Sequence, residues 1–234
     1  MQTPSAESDV IVMGAGPAGC AAAILLAREG LRVTMLDAAR HPRHHIGESL
    51  LPASMPVLAR LGISADDLHA RYQPKFGARF YDPAGDRLGV FDFEPSPGFT
   101  TPAFQVVRED FDALLCRRAR ESGVDVREDS TIVAVDENQA RVTLRDRAEL
   151  RARFLVDATG RTALLATRRK TRISRTDYGR IGIYNYFTHL PPHDDADARY
   201  ITMYVFGDDV GCAGWVWLIP LRAGSTSVEL GRAS

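Results

Sequence analysis

The sequence predicts an α/β fold (α+β overall), a Rossmann-like βαβ nucleotide-binding domain with an interleaved, mostly antiparallel sheet. Three observations predict it. A short β-branched run ends in a glycine-rich turn. A helix-forming run and a second strand follow at once. After about residue 178 the chain is strand-rich.

Asp9-Val-Ile-Val-Met13 reads as a buried strand, and Gly14-Ala-Gly16-Pro-Ala-Gly19 follows directly. Pro17 stands near the first turn of a helix, where its missing N–H costs nothing. Residues 18–28 supply that helix, Gly30 stops it, and Arg32-Val-Thr-Met-Leu-Asp37 is the second strand. Residues 38–56, rich in His, Pro, Gly and Ser, read as loop. Residues 76–93 read as a hairpin turning at Asp82-Pro-Ala-Gly-Asp86. A strand at 104–107 precedes a helix at 108–122, with Phe111, Leu114, Leu115 and Ala119 on one face, acids at its start and Gly123 at its end. Short strands fill 124–155, where Val142 and Leu144 alternate with Arg141, Thr143 and Arg145. Phe154-Leu-Val156 reads as a buried strand ending at Asp157-Ala-Thr-Gly160. Further strands are expected at 181–187, 200–206, 213–219 and 225–230. The implied domains are 1–72 with 100–175 for the nucleotide, and 73–99 with 176–234 for a partial substrate-domain sheet.

Composition narrows the function. At 45% hydrophobic and 25% charged residues the chain is a globular protein and not a disordered one. A net charge of -1 offers no basic face to displace the counterions of nucleic acid. The longest apolar run, 21–27, falls far short of the roughly 20 residues a bilayer span needs. The N-terminus shows no basic and apolar signal pattern. Three cysteines, Cys20, Cys116 and Cys212, without metal spacing fit a reducing cytoplasm. Only Lys75 and Lys170 among the 29 basic residues are lysines. A lysine here invites a question about amine chemistry, because a lysine can lose its proton and an arginine cannot.

Gly14, Gly16 and Gly19 stand between a strand and a helix. In such a turn the first glycine permits the bend, the second lets a pyrophosphate approach, and the third lets helix and strand pack closely. The anion then rests on the helix N-terminus, so Gly14, Gly16, Pro17, Ala18 and Gly19 are candidate cofactor contacts. Asp37, 18 residues after Gly19, is placed to accept from ribose hydroxyls. The turn alone fits FAD or NAD(P). The long loop and hairpin after the second strand favour an FAD-type architecture with an interleaved substrate domain. Asp157 and Gly160 form a second glycine-bearing strand end, which an ordinary turn explains nearly as well.

Gly47-Glu-Ser-Leu-Leu-Pro52, Pro74-Lys-Phe-Gly-Ala-Arg-Phe80 and Trp215-Val-Trp-Leu-Ile-Pro220 together resemble the flavin-dependent halogenases, nearest to the branch acting on phenols and pyrroles. The resemblance spans nearly all of this chain but only the N-terminal part of the family. It implies that Gly14, Gly16, Gly19 and Asp37 contact FAD, and that Gly47, Glu48 and Ser49 belong to a strap crossing the flavin. It places Arg108 near the cofactor. Lys75 would handle the oxidised halogen. Trp215, Trp217 and Pro220 would wall the route between flavin and substrate. The implied reaction takes reduced FAD from a separate flavin reductase, with oxygen and chloride or bromide. Hypohalous acid forms and passes via Lys75 to an electron-rich aromatic substrate, free or tethered to a carrier protein. No metal, nucleic acid or membrane is implied.

Each residue also has a plainer reading. Trp215 and Trp217 alternate at strand spacing and fit a sheet core. Lys75 fits a solvated loop, and Glu48 a surface acid. His41, His44 and His45 lack ligand spacing and read as a polar loop. Arg168, Arg169, Lys170 and Arg172 read as a solvated face. The family continues well past the tryptophan motif, so a truncated, non-catalytic remnant is the alternative function. An FAD monooxygenase or reductase of the same fold is a further one.

Overall fold

The structure, a computed structural model, describes residues 8–94, 101–174, 180–190, 198–208 and 211–233. In chain order it contains β1 (Val10–Met13), α1 (Pro17–Arg28), β2 (Val33–Leu36), α2 (Met55–Arg60), α3 (Ala65–Arg71), β3 (Gln73–Lys75), β4 (Gly77–Tyr81), β5 (Arg87–Asp92) and β6 (Ala103–Gln105). Then follow α4 (Arg108–Glu121), β7 (Asp125–Arg127), β8 (Ile132–Asp136), β9 (Arg141–Leu144), β10 (Glu149–Arg151), β11 (Phe154–Asp157), α5 (Leu164–Arg168), β12 (Arg180–Thr188), β13 (Tyr200–Asp208), β14 (Gly211–Pro220) and β15 (Ser225–Ala233).

The chain divides into two units, one of residues 1–45 with 108–173 and one of 46–107 with 174–234. In the first, β11-β1-β2-β7 form a parallel sheet. The residues of β1 and β2 are all buried, as β-branched and aliphatic runs in a parallel sheet should be. Helix α1 packs against β1, β2 and α4. It opens at Pro17, and Gly30 (φ +83°) stands just past its end. Helix α4 carries Glu109 and Asp110 in its first turn and Arg118 and Arg120 in its last, each favourable toward the helix dipole. An antiparallel sheet, β10-β9-β8, supplies Val135, Val142, Leu144 and Leu150 to a core shared with Ile11, Met13 and Leu36.

Strand β11 differs from expectation. Among the described residues it is paired on one side only, and Phe154 is 61% exposed rather than buried. Pairing on a single edge leaves it less cover than β1 has.

In the second unit β12-β15-β14-β13-β4-β5 form one six-stranded sheet. All pairs are antiparallel except β13 with β4. The expected β4–β5 hairpin turns through Asp82 N–H to Asp86 O (2.9 Å) and Asp86 N–H to the Asp82 carboxylate (2.8 Å). Two helices, α2 and α3, lie where no helix was expected. Ser64 and Asp67 cap α3 reciprocally, Asp67 N–H to Ser64 Oγ (3.1 Å) and Ser64 N–H to Asp67 Oδ2 (3.0 Å).

Residues 46–72 and 101–107, expected with the nucleotide-binding part, group by their contacts with the sheet-bearing unit. Backbone pairing is the reason. Leu50 N–H bonds Phe104 O (3.0 Å) and Val106 N–H bonds Glu48 O (2.8 Å), so the Gly47–Pro52 segment runs along one edge of β6 while β3 pairs with the other. The boundaries expected at 99/100 and 175/176 lie outside the described residues, as does the N-terminal segment read for a signal.

Candidate functional site

The first unit holds a glycine cradle. Gly14 sits at φ +104°, and a Cβ there would come within 2.4 Å of Ala158 O. A Cβ on Gly19 would meet Gly14 O at 1.9 Å, which no backbone can yield to without moving α1. At Gly16 the added carbon meets only Arg43 Nη2, at 3.9 Å. The helix ladder begins with Cys20 N–H to Gly16 O (2.9 Å), so the N–H groups of Ala18 and Gly19 before it are the ones a phosphate would take.

Asp37 lies just past β2. Its carboxylate accepts from Ala15 N–H (2.8 Å) and Ala39 N–H (2.9 Å), with Arg43 Nη2 at 3.6 Å. A cavity of about 320 Å³ opens here, lined by Gly14, Asp37, Arg43, Thr131, Thr159 and Thr162 among others. Arg43 is a site residue the sequence reading missed, since nothing in a loop of mixed polar residues marks one arginine over another. Arg108 holds the fully buried Asp112 through two bonds (3.0 and 3.2 Å), and Arg43 lies 3.5 Å from the same carboxylate. Arg108 thus braces the residue that faces Arg43.

Asp157 caps its own turn, accepting from Thr159 N–H (3.1 Å), Thr159 Oγ–H (2.5 Å) and Leu165 N–H (2.8 Å). Burial opposes its charge, but these bonds outweigh burial and lower its pKa. Gly160, at φ +59°, opens the short helical turn that follows.

His41 is no loop-surface residue. Its side chain is 2% exposed, with Nδ1 2.9 Å from Glu128 Oε1. The buried Cys116 and the half-buried Glu128 beside it lie far off in sequence, so the neighbouring polar residues conceal this contact. Among the described residues no cluster could hold a metal ion.

The second unit gathers the strap, the lysine and the indoles. Lys75 is 2% exposed, although a solvated loop was its plain reading. Its side chain reaches across β6 to the strap, where Nζ donates to Ser49 Oγ (2.7 Å) and Leu50 O (3.2 Å) and lies 4.9 Å from the Phe93 ring centre. Burial pushes its ammonium down to about 8. The next strap residue, Glu48, is fully buried rather than a surface acid. It accepts from Tyr186 O–H (2.6 Å) and from Gly47 N–H (3.0 Å).

Tyr186 stands on the sheet face that carries the indoles. Tyr184 pairs with Glu229, and Glu229 with Trp217, so Tyr184, Tyr186, Glu229, Trp215 and Trp217 share that face. Trp217 packs on Ala78, Ile201, Ile219 and Leu221. Trp215 covers Gly231 so closely that a Cβ there would fall 2.3 Å from its ring. Pro220 closes β14 opposite Thr226. Strap residues 48 and 49 therefore touch the indole-bearing face and the buried amine respectively.

Glu229 is the second residue missed. Burial, then the Glu48 carboxyl beside it, raises its pKa to about 7, and its Oε1 is buried without a partner among the described residues. Free Glu229 in the unfolded chain ionises near 4.5, so between that pH and about 7 the folded chain holds the extra proton. Stability contributed by this group is therefore full below about 4.5 and is lost as pH rises through about 7. Glu229→Gln is expected to flatten that decline, which we put on the order of 1–2 kcal/mol after allowing for solvent screening. Denaturant melts from pH 4 to 8 on both forms measure it, and parallel curves would refute it.

Fold and cradle together define a dinucleotide-binding domain of the βαβ class, with residues that fit an adenine dinucleotide cofactor. The chain belongs to the FAD binding domain family, whose pattern covers residues 7–209. It is similar to the flavin-dependent halogenase armH3 of Armillaria mellea, 34% identical over 233 residues, or 95% of this chain and 46% of the relative. Among solved structures, CmlS, a flavin-dependent halogenase, is 31% identical with a TM-score of 0.83, covering 98% of this chain and 42% of that one. A flavoprotein/dehydrogenase from Cytophaga hutchinsonii is 29% identical with a TM-score of 0.78, covering 96% and 55%. The chain spans about half the length of the curated relatives it matches. Among the described residues no helix is long and apolar enough to cross a membrane.

Proposed function

We propose that the chain acts as the FAD-bearing part of a flavin-dependent halogenase, transferring oxidised halogen to an electron-rich aromatic compound in the reducing cytoplasm. The observation that carries this reading is Lys75: a buried amine of lowered pKa, tied to Ser49 of the same strap whose Glu48 meets the indole face. Gly14, Gly16, Gly19 and Asp37 would hold the cofactor's diphosphate and ribose, with Arg43 close to the diphosphate. FAD, reduced by a separate flavin reductase, would supply the oxidation of chloride or bromide by oxygen to hypohalous acid.

The chain's own residues do the rest. With a pKa near 8, roughly a tenth of Lys75 is neutral amine at pH 7. Neutral Nζ has a lone pair for the halogen and N–H groups to bind the hypohalous oxygen. Ser49 and Leu50 O fix its direction, and the buried surroundings keep water from consuming the oxidant. Trp217 and Trp215, side by side on one sheet face, would wall the approach of the substrate ring to Lys75.

Two measurements test the reading. The purified chain with a flavin reductase, bromide and a phenol should give brominated phenol by mass spectrometry, and none without bromide. Trp217→Ala should leak more free hypohalous acid and couple less of it into product; an unchanged coupling ratio would remove the wall role. The likeness to the Cytophaga hutchinsonii flavoprotein/dehydrogenase favours a second reading, an FAD monooxygenase or reductase. Halide-independent substrate oxidation would mark it.

A further inference from the structure

Away from the strap, within the first unit, two thiols face each other beneath the phosphate turn. Cys20 of α1 and Cys116 of α4 are fully buried, and their sulfurs lie 3.8 Å apart. One carbonyl, Ala15 O, lies within reach of either S–H, at 3.4 Å from Cys20 Sγ and 3.7 Å from Cys116 Sγ. His41 Nδ1 lies 3.6 Å from Cys116 Sγ and 2.9 Å from Glu128 Oε1, and Arg120 Nη2 holds the other Glu128 oxygen at 2.6 Å. Two thiols, a histidine and a carboxylate thus form a connected chain ending on a residue of the glycine turn.

We infer that Cys20 and Cys116 are a redox-sensitive dithiol, oxidised to a disulfide by hydrogen peroxide, and that its oxidation weakens FAD binding. The chemistry balances. The Cys116 sulfur attacks one peroxide oxygen and the O–O bond breaks. The Cys116 proton joins the departing hydroxide as water. The Cys20 sulfur then attacks the resulting sulfenic acid; the S–S bond forms, the S–O bond breaks, and the Cys20 proton leaves in a second water. Two thiols lose two electrons and one peroxide becomes two waters. The Cys20 S–H and then His41 both hold the Cys116 thiol below its ordinary range, against its burial, so it is the attacking sulfur.

Geometry connects this pair to the cofactor. A disulfide needs the sulfurs at about 2.05 Å, so α1 and α4 must draw together. Ala15 O loses the S–H groups within its reach at the same time. Ala15 N–H is the donor that anchors Asp37, and α1 is the helix whose start would carry the diphosphate. Burial makes the reaction slow, because peroxide enters only as the surrounding segment opens, but the neighbouring thiol traps the sulfenic acid before further oxidation.

The whole chain, reduced and then treated with hydrogen peroxide, tests it. Thiol titration after unfolding should fall from three to one, leaving Cys212, with a mass loss of 2 Da from two departing hydrogens and a cross-linked peptide containing Cys20 and Cys116. The FAD dissociation constant should rise about tenfold and return after dithiothreitol. In Cys20→Ser, dimedone should label Cys116; in His41→Gln, disulfide formation should slow about tenfold. Three surviving thiols, or sulfinic acid at Cys116 without a cross-link, would overturn the dithiol. A mapped disulfide with unchanged FAD affinity would overturn its coupling to the cofactor. Both readouts on the wild-type chain stand even where a variant fails to fold, and neither depends on halogenation.

Discussion

Lys75→Met is expected to lower halogenated product by at least about a thousandfold while leaving FAD binding and the fold intact. The lysine contributes nothing to the glycine cradle, so flavin retention should not change. Nor does it hold the sheet together. Among the described residues its Nζ meets one hydroxyl and one carbonyl at the strap and the face of the Phe93 ring, and a methionine of similar length fills its space and keeps the ring contact. Removing a desolvated ammonium also offsets the loss of two hydrogen bonds, so the melting temperature should stay within a few degrees, about 1 kcal/mol of stability either way. Lys75→Arg sharpens the test. Guanidinium keeps charge and donors but never becomes a neutral amine, so product should fall as far as with methionine. Retained halogenation in Lys75→Met would end the assignment. Retention in Lys75→Arg alone would mean that hydrogen bonding, without a free lone pair, is enough.

Gly19→Ala is expected to weaken FAD affinity at least about a hundredfold and to cost about 2–4 kcal/mol of stability. The added methyl would fall 1.9 Å from Gly14 O and 3.3 Å from the Ala158 side chain. The first of these neighbours is backbone inside a turn that itself has φ +104°, so the strain cannot be spread over rotamers. Helix α1 would shift away from β1, and its first N–H groups would no longer converge on a diphosphate. Flavin fluorescence titration and thermal melts measure the two effects. Wild-type affinity in this variant would show that the cofactor does not use the turn.

Much of this protein is legible locally. The strand, turn, helix and strand of residues 9–37 follow from β-branched residues, a proline at the helix start and glycines whose missing side chains can be read in any order of folding. The Ser64-Ala-Asp-Asp67 cap is equally local, but the helix it opens is short and its apolar spacing too brief to predict an element there. Lys75 stood out by the scarcity of lysine and by its Lys-Phe-Gly-Ala-Arg-Phe80 context. Its burial could not be read, because a three-residue strand beside a loop gives no periodicity, and the cover comes from the strap. The same holds for Glu48, whose partner Tyr186 lies 138 residues away.

The sequence by itself determined the class: a glycine turn that tolerates no side chain and a run of strands after it leave few folds open. Only the tertiary structure decided which distant groups meet, namely Glu48 with Tyr186 and Glu229, Lys75 with Ser49, and Cys20 with Cys116 and His41. The physical reason is that strand register and helix packing, both collective properties of the whole chain, set those distances. Burial then alters the proton affinity of each group, and no local pattern of residues encodes that.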